Sequence, residues 1–134
     1  MLTNLKKDID KSEKSDIIKE TPNQSLLKKK VASGELPLTI NPEKQARHVL
    51  MDDETSKSDG RSYLTIDISE AQSIIDTHYA KGDVIYVPKS NKFKEFITAD
   101  RIIGVDGYSN QETNQAFINY SKTGTHLVPT KKGR

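Results

Sequence analysis

The stretch Ile118-Asn119-Tyr120-Ser121-Lys122-Thr123-Gly124-Thr125-His126-Leu127-Val128-Pro129 decides how this chain is read. Two runs of strand-forming residues flank a Thr-Gly pair, the pattern of two short strands joined by a tight turn. If Thr123-Gly124 is a two-residue turn, Ser121 stands opposite His126 and Asn119 shares their face. A three-residue loop sets Lys122 against His126 instead. Either register brings a hydroxyl or an ammonium beside an imidazole. The same pattern also describes an ordinary surface hairpin with one polar face.

Outward from this hairpin, strand-like runs fall at 84–87, 93–98, 101–105, 115–122 and 125–128, with turn signals at Pro88 and Asp106-Gly107. Upstream lies the clearest helix. Ala71, Ile74, Ile75 and His78 recur at helical spacing, and Lys81-Gly82 is the expected stop. Ser69 with Gln72 and Asp67 with Glu70 both fit its capping box. Earlier still, Asn41-Pro42-Glu43 is a helix-start signal, with Asn as N-cap and Pro at the first helical position. A short helix over 42–49 puts Lys44 and His48 four apart on one face, with Arg47 beside them. The sum is an α+β fold: one or two N-terminal helices packed on a four- to five-stranded antiparallel sheet.

Residues 1–35 read as a charged linker and 36–134 as the folded domain. Lys, Glu, Asp and Ser dominate the first twenty positions, too polar a mixture to offset its own ordering entropy. A short helix at 25–33 ends at Gly34, and its Lys28-Lys29-Lys30 run is a solvated face or a contact to nucleic acid. Residues 52–61 form a polar loop closed by Gly60-Arg61-Ser62, a place for backbone N–H groups and a guanidinium to meet a phosphate.

Composition narrows the chemistry. With 134 residues and 33% hydrophobic content, the chain holds one small core. The net charge of +2 permits a polyanionic partner without requiring one. With no cysteine, disulfides, thiolate metal sites and thiol catalysis are out. No run of eighteen apolar residues spans a membrane, and the N-terminus lacks an apolar signal core, so any export address belongs to a larger parent polypeptide. No phosphate-binding loop, zinc pattern or nucleotide-cofactor fingerprint appears, and neither metal nor cofactor is expected. Of the three histidines, His78 lies on an apolar helical stripe and is assigned a core or boundary role. His48 and His126 both stand among polar and cationic neighbours.

Lys44-Gln45-Ala46-Arg47-His48, then Gly60-Arg61-Ser62, then Tyr120-Ser121-Lys122-Thr123-Gly124-Thr125-His126-Leu127-Val128-Pro129 together resemble the polymorphic toxin type 50 domain over about residues 38–130. The resemblance implies a ribonuclease toxin of the barnase, EndoU and RelE fold group, carried at the C-terminus of a secreted or phage head-morphogenesis protein and delivered to a target-cell cytoplasm. It carries over Lys44, His48, Arg61, Ser121, Lys122 and His126 as motif positions. It also implies RNA (tRNA among the candidates) as substrate, and a cognate immunity protein as partner of an otherwise monomeric chain.

Metal-independent RNA cleavage needs a base for the ribose 2′-hydroxyl, cations for the phosphorane and an acid for the leaving 5′-oxygen. Imidazoles suit both proton transfers. The expected catalytic set is therefore His48, His126, Lys44, Ser121 and Lys122, with Arg61, Arg47 and Tyr120 binding substrate; Tyr120 either stacks on a base or is a core residue of its strand. The two alternatives are a non-enzymatic phage structural or protein-binding module and a metal-dependent DNase.

Overall fold

A computed structural model describes residues 20–49 and 61–131. Helix α1 (Pro22–Ala32) starts at Thr21, whose hydroxyl accepts from the Gln24 N–H while the Gln24 side chain reaches back to the Thr21 N–H. Helix α2 (Pro42–Gln45) is short and runs on into a 3₁₀ turn, Ala46–His48. Helix α3 (Ile68–His78) is capped by Asp67, which accepts from the Glu70 N–H. Of the two caps the pattern allowed, Asp67 is used. Gln72 instead donates to the Leu38 carbonyl and accepts from the Ile40 N–H, holding the extended segment that leads into α2.

Seven strands follow the expected antiparallel pairing but divide between two sheets. Strands β2 (Asp83–Val87), β3 (Lys92–Thr98), β6 (Gln115–Tyr120) and β7 (His126–Thr130) form one sheet in the order β2-β3-β6-β7. Strands β1 (Tyr63–Leu64), β4 (Gly104–Asp106) and β5 (Gln111–Thr113) form a smaller one, order β1-β4-β5. The fold is α+β. The run expected at 101–105 enters the small sheet because the Ile103 backbone bonds to both Thr65 and Thr113.

Period-2 alternation sorts the larger sheet into two faces. Phe93, Ile97, Ala116, Ile118, Tyr120 and Leu127 point inward, against Ala71, Ile74 and Ile75 of α3 and Leu27 of α1. Each large apolar side chain so buried contributes about 1.5–3 kcal/mol. The packed body thus reaches back to Thr21, into the stretch read as linker. Asn23 and Gln24 of α1 donate to the carbonyls of Val84 and Gly82, which covers the outer edge of β2. The charged tail before residue 20 and the polar loop at 52–60 lie outside the described residues.

One inward position on β3 is ionic. Glu95 is fully buried and accepts from the Ala80 N–H (2.8 Å), the Gly82 N–H (2.6 Å) and the Tyr120 hydroxyl (2.6 Å). Three donors at a buried carboxylate offset its desolvation and tie the end of α3, where Ala80 takes φ 62°, to the sheet.

Candidate active site

Asn41 seats the first half of the site. Its side-chain oxygen accepts from the Glu43 and Lys44 N–H groups, starting α2, while its amide donates to the Thr123 carbonyl. Its backbone N–H donates to the Thr125 carbonyl, and the Thr125 N–H donates to Thr39. Residues 39–41 therefore run beside the chain just ahead of β7. Gln45 continues this docking. Fully buried, it accepts from the Leu127 N–H (2.7 Å) and donates to the Leu127 carbonyl (2.9 Å), acting as one further rung on the edge of β7.

This docking changes the hairpin. The pair nearest its turn is Asn119 and His126, and residues 120–125 form the connection. Neither expected register is present: Ser121 and Lys122 do not oppose His126. The backbone of Thr125 is already bonded to residues 39–41 and so is unavailable to the hairpin ladder. Gly124, at φ 119°, lets the chain pass so close that a Cβ there would stand 2.7 Å from the Thr39 carbonyl oxygen.

The two halves nevertheless meet. Lys44 Nζ donates to Ser121 Oγ at 2.7 Å, and Ser121 Oγ donates to the Gly124 carbonyl at 3.0 Å. The His48 and His126 rings stack, their centroids 5.7 Å apart and their planes within 15°. His48 Nδ1 lies 2.9 Å from the Ser62 carbonyl oxygen, an acceptor only, so Nδ1 carries the proton and Nε2 holds the lone pair. His126 Nδ1 is buried with no hydrogen-bond partner among the described residues. A bare nitrogen there costs less than an unpaired N–H, which places the His126 proton on Nε2.

Both rings are held neutral. Burial is the largest cause at His126, joined by repulsion from His48 whenever that ring is protonated and by the positive charges of Lys44, Arg47 and Lys92, and its pKa falls to about 4. Burial also lowers the His48 pKa, with Arg61 and Arg47 acting in the same direction and the Ser62 carbonyl opposing them. A cleft of about 190 Å³ opens at this point, with Lys44, Ser121, His126, Lys92, Lys94 and Asn119 on its walls. Its polar groups are donors and cations, an arrangement that receives an anion and moves protons at it.

Of the expected residues, Lys44, His48, Ser121 and His126 converge. Lys122 is exposed on the turn, where it lines an adjoining hollow with Lys44 and Lys92. Arg47 and Arg61 are exposed and act on the imidazoles through their charge. Tyr120 does not present its ring for stacking. It is 1% exposed with its hydroxyl on Glu95, and burial, then the Glu95 charge, raises its pKa far above the usual phenol range. Lys92 and Lys94 were not foreseen, and Asn119, expected on the His126 face, was not counted among the site residues. The alternation Lys92-Phe93-Lys94-Glu95 would have put both lysines on one face, but only register brings Lys94 opposite Asn119 and Asn119 opposite His126. Among the described residues no three His, Cys, Asp or Glu side chains cluster where they would hold a metal, and no helix is long and apolar enough to cross a membrane.

The chain matches the bacterial toxin 50 family over residues 40–129. It belongs to that family. The matched stretch runs from Ile40, which bridges to Thr125, through His48 to Pro129, three residues past His126. Both halves of the site therefore lie inside the bacterial toxin 50 domain, as the motif resemblance led one to expect. Neither the curated proteins nor the solved structures gave a match.

Proposed function

We propose that this toxin domain is a metal-independent endoribonuclease that cleaves RNA by transesterification. The observation that carries the reading is the His48–His126 stack, whose His126 lines a cleft together with the hydrogen-bonded Lys44 and Ser121 and the lysines Lys92 and Lys94. The bare Nε2 of His48 takes the proton of a ribose 2′-hydroxyl. The 2′-oxygen attacks phosphorus, and Lys44, with Lys92, Arg47 and Arg61 around it, stabilises the charge on the phosphorane. Lys122 meets the same strand from the rim. The bond to the 5′-oxygen breaks as that oxygen takes a proton from His126 Nε2. The products are a 2′,3′-cyclic phosphate and a 5′-hydroxyl. Ser121 is a positioning residue, holding Lys44 in place. The bound phosphodiester counters Lys44, Arg47 and Lys92, the cations that depress His126, and so favours the protonated ring the last step needs.

This reading takes RNA as the substrate and an immunity protein as the partner that protects the producing cell. It also places the domain at the end of a larger secreted or phage-encoded protein delivered into a target cell. The test is incubation of the purified protein with total RNA in EDTA. Cleavage is expected to survive the chelator and to fall about 10²–10⁴-fold in His48→Ala and in His126→Ala. Wild-type cleavage by both variants sinks the assignment, and activity on DNA that EDTA abolishes favours a metal-dependent DNase.

A further inference from the structure

The outer face of the β2-β3-β6-β7 sheet is open. Ile85 and Val87 of β2 are 46% and 40% exposed, and Lys92 and Lys94 of β3 are exposed beside them. In the rows that cross the sheet, Lys94 pairs with Asn119 and Asn119 with His126, so the imidazole lies at the end of this surface. The next row is Phe96, Phe117 and Val128. Phe96 and Phe117 are half-buried and meet edge to face, with centroids 5.5 Å apart. The Lys94 ammonium lies 4.5 Å from the Phe117 centroid. Phe117 is thus only half-buried on this outer face, with the Lys94 ammonium rather than packed core over its ring.

Two adjacent strands carrying aromatics, flanked by lysines, suit an unpaired nucleotide strand. Every base has a π-face to stack, and cations track the phosphates. In a duplex the bases are already stacked on one another and cannot use such a surface. The acidic group on this face is Asp83, across from Phe96 at the end farthest from the histidines. Potential along the face is therefore positive where it reaches His126.

We infer that this sheet face is the platform for the single-stranded RNA flanking the scissile phosphate, with bases stacked on Phe117 and Phe96 and phosphates on Lys92 and Lys94. The inference rests on the ribonuclease reading of the adjoining cleft. Asn119, between Lys94 and His126, stands where it meets the base edge next to the cleavage point.

Binding separates this inference from the cleavage reading. The probe is a fluorescein-labelled, eight-residue 2′-O-methyl oligouridine, which has no 2′-hydroxyl to react, followed by anisotropy at fixed salt. Phe117→Leu and Phe96→Leu keep the apolar volume and remove the stacking ring. Each is expected to weaken binding about 5- to 150-fold. The surface variant Lys94→Gln, which packs nowhere in the core, is expected to reduce the salt slope by about 0.7. Wild-type binding by the Phe variants with an unchanged slope for Lys94→Gln overturns the platform, as does failure of the wild type to bind. If the wild type binds and the variants weaken it, yet total RNA is not cleaved in EDTA, the platform stands and the cleavage reading falls.

Discussion

Replacing Gln45 tests how the two halves of the site are held together. Its amide satisfies both the N–H and the carbonyl of Leu127, and all three groups sit where water does not reach, since both residues are fully buried. Gln45→Met conserves length and most of the packing while orphaning one backbone donor and one acceptor. Each such group costs about 1–3 kcal/mol when left unsatisfied, so the variant should lose about 2–6 kcal/mol. Against a total stability of about 5–15 kcal/mol this is a large fraction. With m about 2 kcal/mol/M, the urea midpoint should fall by about 1–3 M at unchanged m. A second readout reports geometry. Lys44 and Arg47 flank Gln45 on the same short element, and their charges help depress the His126 pKa to about 4. Loosening that element moves the cations away, so the His126 titration followed by proton NMR should rise toward 6.5. The Gln45→Glu variant keeps the acceptor and loses the donor, so its deficit should shrink as pH falls and the carboxyl regains a proton to donate. A cost below about 0.5 kcal/mol for Gln45→Met, with His126 titrating as in the wild type, would show that the edge of β7 is held by something else.

Two further outcomes follow from the site and its support. One catalytic imidazole must be charged and the other neutral, so kcat/KM should be bell-shaped, with limbs set by two pKa values that both lie below 6.5. The centre of the bell is therefore expected on the acid side of 6.5 and should drift toward neutrality as salt screens Lys44, Arg47, Arg61 and Lys92. A centre at pH 7 or above contradicts the burial and cation crowding described for the pair. Tyr120→Phe removes a buried, charge-assisted hydrogen bond to Glu95 and should cost about 1.5–3 kcal/mol in a urea or thermal melt; unchanged stability would mean that the Glu95 carboxylate does not depend on that hydroxyl.

Much of the candidate site could be read from local pattern. The Asn41-Pro42 start signal put Lys44 and His48 on one short element, and the α3 stripe correctly buried Ala71, Ile74 and Ile75. Alternation and turn chemistry announced antiparallel strands, and the spaced motifs pointed to the bacterial toxin 50 family, to which the chain belongs. These readings succeeded because caps, helical stripes and strand alternation are consequences of near neighbours in the chain.

What the sequence alone could not decide was everything set by distant segments. The hairpin register was misread because Thr125 bonds to residues 39–41, more than eighty positions away, and no local turn rule contains that contact. Tyr120 read equally as a stacking or a core residue and is buried against Glu95, because the parity of β6 relative to the core follows from its pairing with β3. Gln45 passed unnoticed between two conspicuous residues, since a glutamine's value as a rung on a strand edge exists only once that edge is beside it. Lys92, Lys94 and Asn119 joined the site through register. From sequence came the chemical groups and the elements that carry them; the docking of residues 39–48 along β7 brought His48 and His126 together, because contacts between remote residues are made only when the chain has folded.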